Sequence, residues 1–138
     1  MNVKDLDDKW IDWQLTGNMV KGSLEHKSSY HLLARSIIKQ AYPTMQILEE
    51  VPIHPRKSET MYLDFYLPLI KKCIEVHGEQ HYRFVPYYHH TVLTFLQAQK
   101  RDKDKREWCS INGIAYISLP YNEDSTTWKQ KVTNNDSE

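Results

Sequence analysis

Two short segments with the period of a β-strand constrain the fold of this chain most. In residues 60–68, "TMYLDFYLP", apolar side chains at the odd positions alternate with Tyr62, Asp64 and Tyr66, so the apolar ones are predicted to share one face of a strand. Residues 72–78, "KCIEVHG", have the same period and end at a glycine. Because only a short turn that contains a proline separates the segments, we predict an antiparallel hairpin.

The segments around the hairpin predict further helices and strands. Apolar residues recur at helical spacing over 24–41, where Ser23 is a candidate N-cap, and an extended segment follows at 45–53. After the hairpin, a helix is predicted over 98–111 and a buried strand over 113–121. This order of helix, three strands, helix and strand is typical of an α/β sandwich with a mixed sheet.

The composition suits one domain with its own core. The chain has 138 residues, of which 40% are hydrophobic. We divide it into an N-terminal arm (1–22), a core domain (23–125) and a C-terminal tail (126–138). No apolar run has the length of a membrane span, and the N-terminus lacks the apolar segment of a signal peptide. We therefore expect a soluble cytoplasmic protein in which Cys73 and Cys109 are buried thiols.

The charge pattern argues against a protein that coats nucleic acid without specificity. Lysines and arginines number 18, as do aspartates and glutamates, so the formal net charge is zero. Residues 99–108, "QKRDKDKREW", form the densest basic run, but three acids dilute its five bases. A solvated helix face is the commoner meaning of such a run, although a neutral enzyme can still have one local basic face.

Asp64 and Glu75 are the strongest candidates for chemistry. In the predicted hairpin they lie almost opposite each other, and such cross-strand neighbours have Cβ atoms about 5 Å apart. Neither has an obvious basic partner in the sequence, so a divalent cation with oxygen ligands, such as Mg²⁺, would remove their repulsion. His77 lies on the same face as Glu75, and a metal there would neutralise phosphoryl charge and lower the pKa of a bound water. The alternative is a solvated acid pair with Lys72 or Arg83 as its partner.

Zinc is a weaker interpretation of the same region. The stretch "HGEQH", residues 77–81, places two histidines four apart, but the helical H-E-x-x-H motif needs its glutamate one position earlier. The preceding residues also have strand period. A structural zinc held by Cys73, His77, His81 and Cys109 would lack the usual C-x-x-C pair.

The quoted segments resemble a known superfamily. "YLDFYLP…CIEVHGEQHY" resembles the core of the PD-(D/E)XK restriction-endonuclease-like nucleases, and within them the very-short-patch-repair-like and the phage or homing endonucleases. "RDKDKREWCSINGIAYISLPY" is similar to the helix and strand that follow there, and "GSLEHK" to the first helix of phage junction-resolving nucleases. The similarity covers roughly residues 23–121. It implies a restriction-endonuclease-like α/β/α sandwich with a central mixed four-stranded sheet.

The resemblance implies roles for the acids and for the basic helix. Asp64 and Glu75 become the ligands of Mg²⁺ or Mn²⁺, and Glu25 becomes the acid that completes the metal site from the first helix. Lys103, Lys105 and Arg106 are then candidate contacts to DNA phosphates, with Asp102 and Asp104 exposed or capping. A solvated helix face is the alternative for this basic segment.

Three further residues follow from the same resemblance. The family has a lysine two residues after the second acid, and this chain has His77 there, which departs from the pattern because histidine is not permanently cationic. Gln80 is the other candidate for that role. His81 is a candidate general acid or base, and a hydrogen bonder beside the site is its plain alternative.

The function that the resemblance implies is metal-dependent hydrolysis of phosphodiester bonds in DNA. A nicking, branched-DNA or homing-type endonuclease encoded by a phage is expected, with DNA as partner, no membrane, and a protein partner or the shape of the DNA as the source of specificity. A homodimer would cut both strands and a monomer would nick one. The alternative is a catalytically inactive nuclease-like fold that binds DNA or protein, and RNA cleavage is a third option.

Overall fold

A mixed β-sheet with helices on both faces organises this protein. The structure is a computed structural model that describes residues 1–15, 18–19, 28–79, 82–89 and 91–134. The strands are β1 (Asn2–Lys4), β2 (Trp10–Asp12), β3 (Asn18–Met19), β4 (Leu48–Ile53), β5 (Met61–Leu67), β6 (Lys72–His77) and β7 (Ala115–Pro120). The helices are α1 (Ser29–Ala41), α2 (Pro86–His89), α3 (Val92–Ile111) and α4 (Ser125–Thr133).

The main sheet has the strand order β3-β4-β5-β6-β7. The strands from β3 to β6 are antiparallel neighbours, and β7 pairs parallel to β6. The predicted hairpin is confirmed, because Phe65 lies opposite Ile74 and Leu67 lies opposite Lys72. The mixed α/β class is likewise confirmed, and β3 adds a short fifth strand to the four that the sequence predicts. β1 and β2 form a separate two-stranded sheet.

Apolar side chains are buried against both faces of the main sheet. One cluster joins the sheet to α3 and to β1 and β2, and it contains Val3, Trp13, Leu48, Val51, Ile53, Met61, Leu63, Tyr66, Cys73, Trp108, Cys109 and Ile114. The other joins the opposite face to α1 and α4, and it contains Ala34, Ile37, Ile38, Ile47, Phe65, Leu67, Ile74, Leu119, Trp128 and Val132. Each large side chain that is fully buried stabilises the fold by about 1.5–3 kcal/mol.

The two end segments of the chain contribute to these clusters. Val3 and Trp13 come from the predicted arm, and the Trp13 ring meets Trp108 of α3 edge to face, with 5.0 Å between centroids. Trp128 and Val132 of α4 come from the predicted tail and are buried beneath the sheet. The segments that the sequence separates from the core domain therefore help to build its core.

The alternation of β5 changes face at Asp64, contrary to the prediction that its odd-numbered apolar residues share one face. Met61 and Leu63 belong to the cluster at α3, whereas Phe65 belongs to the cluster at α1 and α4. The cause is a local break in pairing with β4. Glu50, the residue opposite Asp64, has a left-handed backbone with φ of 52°, and the register lacks the pair between these two residues.

Helix α3 starts earlier than predicted, at Val92 instead of residue 98. The Thr91 hydroxyl caps it by accepting a hydrogen bond from the Thr94 N–H at 3.1 Å. The sequence pattern misses these turns because Val92, Leu93 and their neighbour Leu96 are more than half exposed. Apolar residues on the solvent side hide the helical period of this segment.

Helix α1 begins at Ser29, with Ser28 as its N-cap, where the sequence suggests Ser23, a residue outside the described ranges. The Ser28 hydroxyl accepts a hydrogen bond from the His31 N–H at 3.1 Å. We expect Ser28→Ala to lower the free energy of unfolding by about 1 kcal/mol, because one N–H of the first turn loses its partner. Urea unfolding measures this change. Ser36→Ala, on the exposed side of the same helix, is the control, and an equal loss in both variants would contradict the cap.

Both cysteines are free thiols in the core, as predicted. Among the helices that the structure describes, none combines the length and the apolar content needed to cross a membrane.

Candidate functional site

Asp64 lies where β5 loses its regular pairing with both neighbouring strands. On the side of β6, the paired residues end at Phe65 and Ile74. Beyond that point, side chains replace the ladder: the Asp64 N–H donates to Glu75 Oε2, and the Val76 N–H donates to Asp64 Oδ2 at 2.9 Å. The two predicted carboxylates therefore meet between the diverging strands.

Lys105 of α3 completes this group of charges. Its Nζ donates a hydrogen bond to Glu75 Oε1 at 2.9 Å, and both side chains are largely buried. The expectation that the acid pair lacks a basic partner is thus wrong. The sequence predicts Lys105 as a DNA contact. The two basic residues that the sequence suggests as partners of the acid pair lie elsewhere, because Lys72 donates to the Tyr42 hydroxyl and Arg83 pairs with Glu79.

The electrostatics of Glu75 follow from its burial. Burial, and then the nearby Asp64 carboxylate, raise the pKa of Glu75 to about 7, although Lys105 opposes the rise. Burial by itself would lower the pKa of Lys105, but the attraction of Glu75, with smaller effects of Asp64 and Asp102, outweighs it and raises that pKa. Lys105 is therefore a fixed positive charge beside an acid that titrates near neutral pH.

Asp64 also faces an open cleft of about 450 Å³, here called the Asp64 cleft. Residues 28–31 at the start of α1 line one wall, and Asp64, Gly78 and Glu79 line another. Among the contacts of the described residues, none engages Asp64 Oδ1. A ligand that enters this cleft would meet, at its wall, a carboxylate oxygen that the described residues do not engage.

A second set of charges, not anticipated from the sequence, is buried beside the Asp64 cleft. His31 Nε2 lies within hydrogen-bonding distance of Glu49 Oε1, and Arg35 contacts both oxygens of Glu49 at 3.0 Å. Glu49 is 3% exposed. The sequence gives little signal for this group, because Glu49 stands within an apolar strand segment and its partners are in another element.

His77 is buried beside three hydroxyl groups. It is 3% exposed, its Nε2 lies 3.1 Å from the Tyr116 hydroxyl, and its Nδ1 lies 3.0 Å from Ser118 Oγ. The Tyr82 hydroxyl is 3.4 Å from the same Nδ1. His77 also lines a pocket of about 250 Å³ beside Arg106, on the α3 side of the sheet. The other predicted catalytic residues, Glu25, Gln80 and His81, lie outside the described part of the chain.

The basic helix face divides into exposed and engaged residues. Lys103 is exposed, and Arg106 lies over the ring of Tyr116, with its guanidinium carbon 4.9 Å from the ring centroid. Asp104 was expected to be exposed or capping, but it is buried and bonds Arg56 at 2.7 Å. Of the three predicted DNA contacts, Lys103 and Arg106 remain available to a ligand at the surface.

Within the described ranges, no three or more histidine, cysteine, aspartate or glutamate side chains form a group that could hold a metal ion. The zinc alternatives lose support in this part of the chain. β6 is extended up to His77, where an H-E-x-x-H site needs a helix, and Cys73 and Cys109 are buried in the apolar cluster at α3.

These observations define a mixed α/β protein in which two central strands supply an acid pair and α3 supplies the lysine that contacts it. Three viral proteins are similar to parts of it. Uncharacterized protein 307L of Invertebrate iridescent virus 6 is 39% identical over 59 residues, 43% of this chain and 30% of that protein. Uncharacterized protein 033L of Invertebrate iridescent virus 3 is 32% identical over 68 residues, 49% of this chain and 35% of that protein.

The third relative is uncharacterized protein 094L of Frog virus 3, which is 36% identical over 70 residues, 50% of this chain and 45% of that protein. The chain thus spans less than half of the length of each of these three relatives. No family model and no solved structure matches the chain.

Proposed function

We propose that this protein is a Mg²⁺-dependent endonuclease that hydrolyses phosphodiester bonds in DNA. The observation that carries the proposal is the meeting of Asp64, Glu75 and Lys105 where β5 and β6 stop pairing. Two acids from adjacent strands beside a lysine are the chemical groups that the resemblance to PD-(D/E)XK nucleases leads one to expect. Helices on both faces of the mixed sheet support the finer proposal of a restriction-endonuclease-like sandwich.

The acid pair fits Mg²⁺ or Mn²⁺, which prefer oxygen ligands. Asp64 has an oxygen that the described residues leave free, and the buried Glu75 is destabilised in its charged form by Asp64. A divalent cation held by these two residues would neutralise phosphoryl charge and lower the pKa of a bound water. Two carboxylates suffice for such a site in principle, because Mg²⁺ usually keeps several waters and substrate oxygens as its other ligands.

Lys105 has two roles in this proposal. Its hydrogen bond to Oε1 fixes the orientation of the Glu75 carboxylate, so that the acid pair is organised before a ligand arrives. Its ammonium group would also place a positive charge beside the acid pair, where it could stabilise negative charge that develops on a phosphoryl group bound there. The lysine comes from α3, whereas the family's lysine follows the second acid along the strand. The proposal therefore assigns to Lys105 the role for which the resemblance suggests His77 or Gln80.

A binding module without catalysis is the second candidate, and one observation favours it. The Lys105 ammonium and the Asp64 N–H already engage both oxygens of Glu75, so the acid has partners without any metal. In this candidate the charges serve only to hold α3 on the sheet. Lys103 and Arg106 would then contact DNA phosphates as part of a recognition surface.

Incubation with nucleic acids tests the proposal. Supercoiled plasmid, branched DNA, single-stranded DNA and matched RNA substrates are each incubated with the purified protein in Mg²⁺ or Mn²⁺. We expect DNA products that require the metal and disappear with a chelator. Binding of the substrates without any product would support the binding module, and cleavage of RNA alone would change the substrate class.

Metal binding gives a separate prediction. We expect Asp64→Ala to weaken Mg²⁺ binding by more than about tenfold, because even groups that only orient a metal ligand are worth 10–100-fold in affinity. Isothermal titration calorimetry measures the effect, and Asp7→Ala, at an exposed acid in the loop between β1 and β2, is the matched control. Equal Mg²⁺ affinity in both variants would contradict a site at Asp64.

The three relatives support a viral origin for this chain and do not favour a phage. A cytoplasmic location, a homodimer that cuts both strands, and a protein partner that supplies specificity stay predictions. Sedimentation of the free protein and of its DNA complex distinguishes a dimer from a monomer.

A further inference from the structure

His31 lies on a wall of the Asp64 cleft and is held there from two sides. Its Nε2 is hydrogen-bonded to Glu49 Oε1, and its ring stacks on Phe65 with 4.5 Å between centroids. His31 and Asp64 both line this cleft, so the imidazole and the proposed metal-binding carboxylate face the same space. The His31 side chain is 11% exposed, which limits it to a small opening on this cleft.

Arg35 holds the other end of this arrangement. Its NH2 group lies 3.0 Å from each oxygen of Glu49, so the carboxylate is fixed between a guanidinium and an imidazole. A carboxylate that accepts from Nε2 places the proton of a neutral imidazole on that nitrogen and leaves Nδ1 as a proton acceptor. None of the contacts among the described residues engages His31 Nδ1.

We propose that His31 accepts the proton of the attacking water in the Asp64 cleft, with Glu49 and Arg35 as its positioning residues. This inference rests on the proposed phosphodiester hydrolysis. The water oxygen forms a bond to phosphorus while the bond from phosphorus to one ester oxygen breaks. One water proton passes to His31 Nδ1, the leaving ester oxygen takes a proton from solvent, and His31 later returns its proton to solvent.

The surroundings of His31 combine both signs of charge. The charged and titratable groups of the described residues that face it or share its cleft are Arg35 on its own helix, Glu49 of β4, Asp64 of β5, Glu79 after β6, and the tyrosines Tyr30 and Tyr121. The acid Glu49 is bonded to His31 itself, whereas Asp64 and Glu79 line the cleft. A base at this position therefore lies among the groups that would surround a bound phosphate and its metal.

A purely structural role for this buried group makes a different prediction. Buried ion pairs cost desolvation energy, and breaking one by removing a partner is strongly destabilising whatever its function. A structural role would therefore reduce stability and leave the rate of the folded variant unchanged. The two roles separate when rate, DNA affinity and stability are measured on the same variants.

The experiment compares His31→Ala with the wild-type protein in single-turnover DNA cleavage, with DNA affinity measured in parallel by fluorescence anisotropy. We expect the rate to fall roughly 100-fold, as for the loss of a general base, while the dissociation constant changes less than about threefold. Added imidazole should raise the rate of the variant and leave the wild type unchanged. The limb of the pH–rate profile that reports a single base should be absent from the variant. His54→Ala, at an exposed histidine in the loop between β4 and β5, is the matched control.

Failure of this inference differs from failure of the proposed function. Wild-type protein that cleaves, together with a His31 variant of equal rate, overturns the role of His31 alone. A slower variant that keeps the wild-type pH profile and does not respond to imidazole overturns it as well. His31→Gln, which retains more volume, undergoes the same measurements if His31→Ala does not fold. Wild-type protein that cleaves none of the substrates removes both the proposed function and the inference.

Discussion

Asp64→Asn is expected to lower the rate of DNA cleavage about a thousandfold while the fold stays intact. The amide removes the negative charge that attracts a cation, and the charge stabilisation provided by a catalytic metal amounts to several kcal/mol. The amide still has an oxygen that can accept the hydrogen bond of the Val76 N–H, now 2.9 Å from Asp64 Oδ2. The variant thus separates the charge from the local structure. Plasmid nicking at saturating Mg²⁺ gives the rate, and circular dichroism gives the fold.

The control for this variant is Asp8→Asn. Asp8 is an exposed acid that pairs only with Lys4 among the described residues, and asparagine tolerates its left-handed backbone, which has φ of 64°. The Asp8→Asn variant should cleave DNA at the wild-type rate. If Asp64→Asn keeps more than a tenth of the activity, Asp64 is not a ligand of a catalytic metal. If the cleavage rate of Asp64→Asn falls and its unfolding temperature falls with it, the loss of activity is caused by damage to the fold and not by the missing charge.

Local sequence patterns were enough to predict the hairpin and the meeting of Asp64 with Glu75. Strand period and a short turn determine which residues of β5 and β6 lie opposite each other, and both depend on residues close in the chain. The strand period predicted for β6 is also confirmed, because its consecutive residues Cys73 and Ile74 belong to opposite clusters. The same reasoning failed for β5, because the alternation of its side chains changes face at Asp64. The change is caused by the left-handed backbone of Glu50 in β4, and the apolar pattern of β5 gives no information about that conformation.

The partners of the buried acids were beyond what the sequence predicts. Lys105 meets Glu75 only because α3 packs across the sheet, and the basic run that contains it is typical of a solvated helix. His31 and Glu49 are 18 residues apart and belong to a helix and a strand whose contact depends on the whole fold. Charges that pair across elements leave no periodic signal, so the sequence identified Asp64 and Glu75 but missed Glu49 and the partners of all three acids.

The free energy of unfolding is expected to fall by roughly 3 kcal/mol as the pH rises from 4.5 to about 7, through Glu75 alone. Burial and the nearby Asp64 raise the pKa of Glu75 from 4.5 to about 7 in the folded protein. In this interval the unfolded chain has lost the proton and the folded chain still binds it. Stability therefore decreases with pH, by up to about 1.4 kcal/mol per pH unit, and the full contribution of Glu75 is present only below pH 4.5.

Urea unfolding of the wild type and of Glu75→Gln between pH 4 and pH 8 measures this contribution, since a glutamine does not titrate. The stability difference between the two proteins should change by the same roughly 3 kcal/mol across the interval. Glu107→Gln, at an exposed acid of α3, is the control and should follow the wild type. Parallel profiles of the wild type and Glu75→Gln would show that Lys105 keeps Glu75 ionised throughout.

The same urea unfolding measurements, repeated with Mg²⁺, test whether Glu75 binds a metal ion. A cation bound by ionised Glu75 stabilises only the folded protein, so it should recover part of the lost stability at pH 8 and much less at pH 4.5, where Glu75 is protonated. The effect should be absent from Glu75→Gln. An ion pair that serves only to attach α3 predicts no response to Mg²⁺ at either pH. The pH dependence of the metal effect therefore distinguishes a metal site from a structural ion pair without any assay of cleavage.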